Sequence, residues 1–505
     1  MKKRMGIIWV LFLFYTVVSG QATFSIQIDA PCNVRLSDTA GNYYRPDSTY
    51  FWKTYMGTAF ADFPCDGRFS LPLPVGEYHY ELDRGPEYIL AKGNFKMTDK
   101  DIHLDLKLSR IVNMKQLNWY SGDLHIHRKV KDIELLMKAS DLHIAPVITS
   151  WNNDYPYAQK DSSYDFSTRG FDNDRYYTIT GAEDERSGGA ILVLNTAVPV
   201  NYSIEHKKEY PPLAKSVQDV NTKENDRAWI DIDKPFWWDM PIILATSKIN
   251  SIGIAHNHMN QGGVHDNEAW GVPRNKIQYP PPMGNGYWTQ ELYYRVLNSG
   301  FRILPSAGGA SGVLPNPVGY NRQYVYVAKE LTYNKWFEAL KKGRTFVTNG
   351  PLLLCKADGQ LPGTVFSSRK KMQITITGSI QSRDSIESIE LIRNGKVDKR
   401  LSAANLSNHQ FSTAVDFDKS GWFLVRVICR VPDNFRFAST APFYVEIGKE
   451  KKRISKSAAL FFYDWVNTRS DLLKWDNPRE LEEINRYLHE AKIFWKELIG
   501  KANAE

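Results

Sequence analysis

The chain has 505 residues, and its 64 lysine and arginine residues against 56 aspartate and glutamate residues give it a formal net charge of +8. Apolar residues make up 42% of the chain and charged residues 24%, which excludes a disordered chain, a collagen-like repeat and a disulfide-dense small domain. At roughly 150 residues per domain, this length predicts about three globular domains.

The first 22 residues have the layout of a secretory signal peptide. Lys2, Lys3 and Arg4 precede an apolar run at residues 7–18, and small residues follow that run. This order of charged, apolar and small residues is typical of a cleaved export signal. The apolar run is too short to span a bilayer comfortably. We therefore predict that residues 1–22 are removed and that the protein is secreted or periplasmic, without stable insertion in a membrane.

Two short segments carry most of the positive charge. The predicted signal peptide contributes three of the eight charges, and five basic residues stand against one acidic residue between Lys449 and Lys456. The rest of the chain is close to neutral, which argues against a nucleic-acid-binding groove. We interpret residues 449–456 as a solvated linker, although a local anion-binding patch would have the same composition.

The four cysteines, Cys32, Cys65, Cys355 and Cys429, fit an oxidising compartment but are too few to form the framework of the fold. Two pairings fall within single predicted domains, Cys32 with Cys65 and Cys355 with Cys429. The sequence leaves their oxidation state open. No CxxC spacing is present, which argues against a zinc ribbon or a thioredoxin-like site.

Runs of alternating apolar and polar residues, separated by turn residues, indicate β-strands towards both ends of the chain. They predict one β-sandwich at residues 23–115 and a second at residues 350–448. Residues 449–505 read as a basic linker followed by a helical tail. The last helix of this tail is predicted to begin at Asn477-Pro478, because asparagine caps helices and proline favours their first turn.

Residues 116–349 alternate between strand-like and helix-like segments, which predicts a parallel sheet or barrel. The candidate strands are residues 122–127, 144–151, 176–183, 190–194, 252–258 and 301–306. Several of them run apolar and then end in polar residues. Because the active site of a parallel barrel lies at the carboxyl ends of its strands, we expect the functional residues there.

The strongest chemical signal is Asp-Leu-His-Ile-His at residues 123–127. His125 and His127 are two residues apart, so on a strand their imidazoles point to one face and can chelate one metal ion. Asp123 lies on the same face and could accept a ring N–H or assist proton transfer. The alternative is that the two histidines only pack or cap.

A second pair, His256 and His258, repeats this spacing at the end of another apolar strand, and Glu183 ends the strand at residues 176–183. With the first pair they predict a metal site of histidines and one carboxylate, in which His258 is a reserve ligand. Asp184 is predicted to assist proton transfer, although a solvated acidic loop fits this cluster as well. Mixed nitrogen and oxygen ligands suit zinc, manganese or iron, and we expect one ion, or two.

Four further residues are predicted to line a substrate pocket. His265 and Asp266 follow the second histidine pair in a loop, and Asn321 and Arg322 lie just past the last barrel loop. An arginine at this place could hold an anionic substrate oxygen, although a plain surface arginine is an equal alternative. His143 is left out, because it stands at the start of its strand and so at the opposite end of the barrel.

Several of these segments together carry a family resemblance. They are Trp-Tyr-Ser-Gly before Asp-Leu-His-Ile-His, then Val-Ile-Thr-Ser-Trp-Asn, Gly-Ala-Glu, Gly-Ile-Ala-His-Asn-His and Gly-Tyr-Asn-Arg. About residues 119–363 resemble the PHP (polymerase and histidinol phosphatase) metallohydrolases, most of all the CehA/McbA type, relatives of carbaryl hydrolase. The resemblance implies a distorted (β/α)7 TIM-like barrel with metals at the carboxyl ends of its strands, and cleavage of ester, amide, carbamate or phosphoester bonds.

Two motifs depart from the pattern of that family. Where its members usually have Thr-Asp-His, this chain has Thr149-Ser150-Trp151. Where they usually have Asp-x-His, residues 306–312 read Ser-Ala-Gly-Gly-Ala-Ser-Gly. A complete three-metal cluster is therefore not expected, whereas the glycine-rich segment could offer backbone N–H groups to an oxyanion.

We therefore predict a secreted metal-dependent hydrolase that acts on a small-molecule or glycan-derived substrate. The alternative is a catalytically degenerate barrel that binds a carbohydrate or another ligand. Phe236-Trp237-Trp238 and Trp270 support this alternative, because aromatic rings can stack on sugars, although they could equally fill a core. The sequence leaves the oligomeric state open.

Overall fold

The computed structural model describes residues 22–46, 60–152, 165–200, 208–402 and 409–505, which form a mixed α/β structure rich in β-sheet. Residues 1–21, which hold nearly all of the predicted signal peptide, lie outside the described residues. Within the described part of the chain, no helix is long and apolar enough to cross a membrane.

The N-terminal region consists of two sheets that share one apolar core. Its strands are β1 (Thr23–Ile28), β2 (Cys32–Asp38), β3 (Asp62–Cys65), β4 (Arg68–Pro72), β5 (Gly76–Asp83), β6 (Ala91–Met97) and β7 (Ile102–Leu106). The strand orders are β4-β1-β7 and β3-β2-β5-β6. Alternate residues such as Phe24 and Ile26 of β1 and Val34 and Leu36 of β2 are buried in the common core, as the period of two along a strand requires.

The middle of the chain alternates strands and helices. Its elements are β8 (Trp119–Gly122), α1 (Ile133–Ala139), β9 (Ile144–Trp151), β10 (Arg169–Phe171), β11 (Arg175–Arg186), β12 (Gly189–Leu194), α2 (Leu213–Lys223), β13 (Trp229–Ile232), α3 (Met240–Thr246), β14 (Ser251–Ala255), β15 (Met259–Asn260), β16 (Gly263–Val264), α4 (Gly284–Asn298), β17 (Leu304–Ala307), β18 (Arg322–Tyr326), α5 (Tyr333–Lys341) and β19 (Thr345–Thr348). The predicted strand at residues 144–151 agrees with β9, whereas the segment predicted at 122–127 leaves the regular strand after Gly122.

The C-terminal region adds nine strands and two helices among the described residues. They are β20 (Leu352–Ala357), β21 (Val365–Ser368), β22 (Met372–Gln381), β23 (Ile386–Arg393), β24 (Lys396–Leu401), β25 (Gln410–Phe417), β26 (Gly421–Cys429), β27 (Phe437–Thr440), β28 (Phe443–Ile447), α6 (Lys456–Leu472) and α7 (Pro478–Gly500). Helix α7 begins as the sequence predicts, because Asn477 Oδ1 accepts the backbone N–H of Arg479 at 3.1 Å.

The largest sheet of the described chain has 16 strands and continues past residue 350, where the sequence predicts a domain boundary. Its main path runs β17-β14-β13-β12-β11-β9-β8-β18-β19-β27-β26-β23-β24. The pairs β8/β9, β9/β11, β13/β14 and β14/β17 are parallel, whereas β11/β12 and β12/β13 are antiparallel. The helix-connected strands are therefore mostly parallel, as the alternating pattern predicts.

A closed barrel, which the sequence resemblance implies, is not detected among the described residues. Strand β8 pairs with β9 on one side and with the antiparallel strand β18 on the other, so that Gln323 lies opposite Gly122. Strands β18 and β19 then lead into β27, with Phe346 opposite Thr440. The free edge of β8, which would have to close a ring of strands, is thus taken up by the C-terminal half of the sheet.

All four cysteines are buried free thiols in the structure, so neither of the two pairings considered from the sequence forms a disulfide. Cys32 and Cys65 do lie opposite each other in the antiparallel pair of β2 and β3. Burial raises the pKa of both thiols, that of Cys65 to about 11. Both side chains therefore behave as uncharged core residues at neutral pH.

The helical tail packs against the middle of the chain through α3 and α4. Trp495 of α7 is fully buried, its Nε1 donates to the carbonyl of Pro241 at 2.9 Å, and its ring lies beside that of Phe462. Arg469 of α6 adds an ion pair of 2.7 Å with Asp239. The tail therefore covers apolar surface of the central region rather than extending into solvent.

Removing the side chain of Trp495 tests how much this contact stabilises the protein. We expect Trp495→Ala to lower the free energy of unfolding by about 3–5 kcal/mol, because it leaves a large cavity and an unpaired carbonyl. Ile493→Ala is the matched control, since Ile493 lies on the same helix and is 46% exposed. Urea denaturation followed by tryptophan fluorescence measures both, and equal losses would contradict the packing of α7.

Glu87 links the N-terminal sheets to the central sheet through a buried carboxylate. It accepts hydrogen bonds from the hydroxyl of Tyr324 at 3.0 Å and the backbone N–H of Met114 at 2.9 Å, and it pairs with Arg110 at 2.9 Å. Burial, followed by repulsion from Asp141, raises the pKa of Glu87 to about 7. The carboxylate is thus costly to ionise in the folded state.

A raised pKa makes the contribution of Glu87 to stability depend on pH. Below its ordinary pKa of 4.5 the group is protonated in both states, and as pH rises through about 7 the folded state must accept a buried charge, so stability is lost. We expect Glu87→Gln, which does not titrate, to gain melting temperature relative to the wild type between pH 5 and pH 8. The exposed control Glu482→Gln should show no such drift, and a pH-independent difference for Glu87→Gln would refute the shift.

Candidate metal centre

Residues 123–127 form an extended segment that is hydrogen-bonded on both sides. Its neighbours are β9, through the bond from Ile148 N to Ile126 O at 2.9 Å, and the stretch after β17, through the bond from His127 N to Ser311 O at 2.7 Å. Leu124 and Ile126 are fully buried in apolar clusters. Because side chains alternate along an extended chain, His125 and His127 are directed to the opposite face.

The structure brings His125, His127 and Glu183 together. His125 Nε2 and His127 Nε2 lie 3.0 Å apart. Glu183 Oε2 lies 2.9 Å from His127 Nε2 and 3.5 Å from His125 Nε2. Each of the three residues is at most 3% exposed. Within the described ranges, this is the group of histidine, cysteine and acidic side chains whose ligand atoms lie close enough to hold a metal ion.

The spacing of these three atoms fits a transition metal ion. Ligand atoms placed about 2.0–2.2 Å from a tetrahedral ion lie roughly 3.2–3.6 Å apart, and the observed separations range from 2.9 to 3.5 Å. Two nitrogen donors and one oxygen donor leave a fourth position for water or substrate, as in catalytic rather than structural zinc sites. His125, His127 and Glu183 can therefore hold one ion.

The charges of the site favour a cation between its carboxylates. Burial alone would lower the pKa of His125, but Glu183 and Asp233 outweigh it and raise that pKa to about 10. Burial raises the pKa of Glu183, and the two histidines reverse this effect and hold it at about 2. A positive charge placed here is thus stabilised from two sides, which a divalent ion satisfies as well as a proton does.

Asp233 orients His125 for ligation. Its Oδ1 lies 3.0 Å from His125 Nδ1, and its other oxygen accepts from the ammonium group of Lys234. When Nδ1–H donates to a carboxylate, Nε2 is left with its lone pair towards the metal position, an arrangement found behind most metal-binding histidines. The sequence pattern predicts this supporting role for Asp123, so Asp233 is a residue that sequence reasoning missed.

Asp123 supports the backbone instead of a histidine ring. Its Oδ1 accepts the backbone N–H groups of His125 at 3.0 Å and Gly309 at 3.2 Å, and its Oδ2 accepts that of Gly319 at 2.7 Å. Asp123 is fully buried, and burial raises its pKa to about 6 in spite of these bonds. Its oxygens thus hold the chain around the site together, and the predicted bond to a ring N–H is replaced by bonds to the backbone.

Asp184 and Glu185 lie on different sides of β11, because adjacent residues of a strand point to opposite faces. Asp184, predicted to assist proton transfer, is fully buried and accepts two hydrogen bonds of 2.7 Å from Arg186. Glu185 lies on the same face as Glu183 and accepts from Trp151 Nε1 at 3.0 Å. The structure therefore places Asp184 in an ion pair and brings Glu185, for which the sequence predicted no role, to the side of the metal group.

The second histidine pair does not join the three ligand atoms. His256 Nε2 lies 2.9 Å from Thr289 Oγ1, while its Nδ1 accepts the backbone N–H of His258. His258 Nδ1 lies 2.8 Å from the carbonyl of Asn267. Strand β14 ends at Ala255, so these histidines lie on an irregular segment where the alternation of a strand no longer directs both rings to one point.

The four predicted substrate residues are dispersed. His265 is exposed and its ring centroid lies 5.7 Å from that of His258, whereas Asp266 pairs with Arg274 and Lys276. The two residues near the last loop are buried: Asn321 Nδ2 donates to the carbonyl of His256 at 3.0 Å, and Arg322 Nη2 to that of Ser140 at 3.0 Å. Arg322 also lines a cavity with the N-terminal strands, so its predicted contact with substrate at the metal group is not supported.

The glycine-rich segment at residues 306–312 packs against the histidine motif. A Cβ on Gly308 would lie 2.3 Å from His125 Cβ, and one on Gly312, whose φ is +108°, would lie 1.6 Å from the carbonyl oxygen of His127. The N–H groups of Gly308 and Gly309 donate to Ala255 O and Asp123. These two N–H groups are therefore not available to an oxyanion, and the glycines serve close approach.

Trp151 and Asp231 also lie near the site, and the sequence predicted a functional role for neither of them. The ring centroid of Trp151 lies 5.2 Å from that of His127. Asp231 accepts hydroxyl hydrogen bonds from Ser251 at 2.7 Å and Ser306 at 2.6 Å, and burial raises its pKa to about 7. The run Ile230-Asp231-Ile232-Asp233 has the same alternation as the histidine motif, and this signal could have revealed β13 and its carboxylates.

Comparisons with known proteins leave the site to be interpreted from its own geometry. No protein-family model matches the chain, and no curated protein and no solved structure matches it. A function for the site is therefore inferred from the arrangement, burial and charge of its donor groups.

The role of Asp233 predicts a defined change in metal affinity. We expect Asp233→Asn to weaken binding of Zn²⁺ or Mn²⁺ about 10–100-fold, which is the usual effect of losing the carboxylate behind a ligating histidine. Titration calorimetry of the metal-free protein measures it. Asp219→Asn, an exposed residue on α2, is the control, and equal affinities for all three proteins would contradict the assignment.

Proposed function

We propose that this protein is an exported metal-dependent hydrolase. The observation that carries this proposal is the buried convergence of His125, His127 and Glu183, three donors whose spacing fits one ion and leaves a position open. Buried histidine and carboxylate groups are costly unless they bind or react. The bonds that such sites cleave include esters, amides, carbamates and phosphoesters.

The donor set favours zinc, manganese or iron over calcium or magnesium, because imidazole nitrogens suit the first group and oxygen ligands the second. When bound, such an ion supplies Lewis-acid chemistry, in which it acidifies water and polarises the oxygen of a scissile carbonyl or phosphoryl group. The chain itself contributes orientation. Asp233 holds the Nδ1 proton of His125, and Asp123 holds the backbone on which that histidine stands.

Aromatic side chains border this region and would limit access of water. Trp151 lies against His127, and Trp237 stacks on Trp270 with ring centroids 4.9 Å apart. Trp270 is 47% exposed and its Nε1 donates to the carbonyl of Arg186, three residues from Glu183. A small organic or glycan-derived substrate could pack on this exposed ring.

We also propose that the protein belongs to the PHP metallohydrolases, and the arrangement of the central strands supports this proposal. Ile126, in the stretch that follows β8, forms isolated parallel bridges to Val147 of β9 and to Ser311, which follows β17. The histidine motif, which continues the chain of β8, thus lies between β9 and the stretch after β17, a position that would suit closure of a distorted (β/α)7 barrel. Two sheets precede this region and a three-stranded sheet follows it, an order compatible with the flanking sandwiches that the sequence predicts.

Metal content and turnover together test the proposed hydrolase. We expect the purified protein to carry about one transition metal ion per chain, measured by plasma mass spectrometry, and to hydrolyse a p-nitrophenyl ester, an aryl carbamate or p-nitrophenyl phosphate. His125→Ala combined with His127→Ala should remove both the metal and the turnover, because it deletes two of three ligands. His489→Ala, an exposed histidine on α7, is the control.

Circular dichroism establishes that the double variant keeps its fold. A folded wild-type protein that retains no metal after incubation with Zn²⁺, Mn²⁺ and Fe²⁺ would exclude the hydrolase. A protein that binds metal but cleaves no ester, carbamate, amide or phosphoester would favour the alternative, a degenerate barrel that binds ligands.

A further inference from the structure

A cavity among the described residues lies away from the metal group. It has a volume of about 970 Å³ and lies between the three-stranded sheet β20-β22-β25 and the beginning of β8. This volume is at the upper end of the range of about 300–1,000 Å³ that ligand sites occupy. It takes its walls from Trp119 and Tyr326 on one side and from the sheet on the other.

One wall of this cleft is the outer face of the three-stranded sheet. The register places Leu354 opposite Ser379 and Ser379 opposite Gln410 in one row, and Lys356-Thr377-Ser412 in the next. Residues directly opposite each other share a face. The intervening positions, such as Leu353, Cys355 and Phe411, are buried in the core. This face of the sheet therefore presents hydroxyl, amide and ammonium groups beside the apolar Leu354, and Cys355 and Phe411 also border the cleft.

The charged side chains of the cleft are all positive. Among the described residues that line it, Arg344 and Lys356 are the charged ones, and aspartate and glutamate are absent. Neither cation has a carboxylate within 4.0 Å in the described chain. Two cations without an anion beside them give the cleft a positive potential, which complements an anionic ligand.

The remaining groups indicate what kind of anion fits. Gln360, Gln410, Thr377, Ser379 and Ser412 offer uncharged donors and acceptors that suit several hydroxyl groups. The half-buried Tyr326 adds aromatic surface, and its ring centroid lies 5.7 Å from that of Trp119, which is itself buried in the core. Aromatic rings pack on the apolar face of sugar rings, while amides and hydroxyls bind their edges.

We propose that the cleft between β20-β22-β25 and Trp119 binds an acidic oligosaccharide, whose carboxylate or sulfate groups pair with Arg344 and Lys356. This proposal does not depend on the metal-dependent hydrolase. The cleft is formed by other residues, and its ligand is recognised by charge, hydroxyl pairing and ring packing. A protein without its metal ligands should therefore bind the sugar unchanged.

Binding of matched acidic and neutral sugars tests the proposal. The probes are α-1,4-linked tetragalacturonate, its fully methyl-esterified form, a chondroitin 4-sulfate tetrasaccharide and an alginate tetrasaccharide, measured by titration calorimetry on the full chain. We expect at least one acidic sugar to bind, with an affinity that falls at higher salt. If that sugar is tetragalacturonate, its methyl ester should bind at least about tenfold more weakly, because esterification removes the charge-assisted hydrogen bonds.

Variants locate the binding. Arg344→Gln combined with Lys356→Gln should weaken the acidic sugar at least about tenfold, and Tyr326→Ala should weaken it as well. Lys419→Gln, an exposed lysine outside the cleft, should not. The variant His125→Ala/His127→Ala should retain binding, which separates failure of this proposal from failure of the hydrolase.

Three outcomes would overturn the assignment. They are no binding of any acidic sugar to folded protein, undiminished binding by the double variant of Arg344 and Lys356, and equal or tighter binding of an oligoglutamate peptide. The last outcome would show that the cleft selects negative charge without selecting a sugar.

Discussion

The backbone hydrogen bonds that hold residues 123–127 extended between β9 and the stretch after β17 determine the rest of the metal centre. They force alternation on the segment, so Leu124 and Ile126 enter apolar clusters while His125 and His127 share the other face. Without these backbone hydrogen bonds, nothing would direct the two imidazoles to the same face. The second histidine pair shows this, because it follows the end of β14 and its rings have separate partners.

The close approach of the glycine segment is part of the same constraint. Gly308 and Gly312 contact the histidine motif at distances that leave no room for a side chain. This segment therefore contributes direct backbone packing to the site. Asp123 strengthens this packing, because its two carboxylate oxygens accept the backbone N–H groups of His125, Gly309 and Gly319. Three backbone hydrogen bonds reduce the cost of burying this charge but do not cancel it, because the pKa of Asp123 stays raised at about 6.

Strand β8 connects the candidate metal group with the proposed sugar cleft. Its first residue, Trp119, borders the cleft, and the chain beyond its last residue, Gly122, leads to His125. The antiparallel neighbour β18 repeats the arrangement, because Tyr326 at its end lines the cleft. Because one continuous sheet joins the central and C-terminal strands, the proposed sugar cleft and the metal group are held in a fixed relation by shared backbone pairing.

Local patterns in the sequence were enough to predict mixed α/β structure, the strand at residues 144–151 and the cap at Asn477, and the strand ends also pointed to the grouping of His125, His127 and Glu183, which could hold a metal ion. The strand, the cap and the shared face of His125 and His127 depend on neighbours within a few residues, through alternation or capping, whereas Glu183 was predicted from the meeting of strand ends. Only the tertiary structure shows that β8 pairs with β18 and not with a strand that would close a barrel. It also shows that Asp233 hydrogen-bonds to His125 and that Asp184 forms an ion pair with Arg186. These contacts join side chains and strands distant in sequence, or depend on which face a strand buries, so no local spacing encodes them.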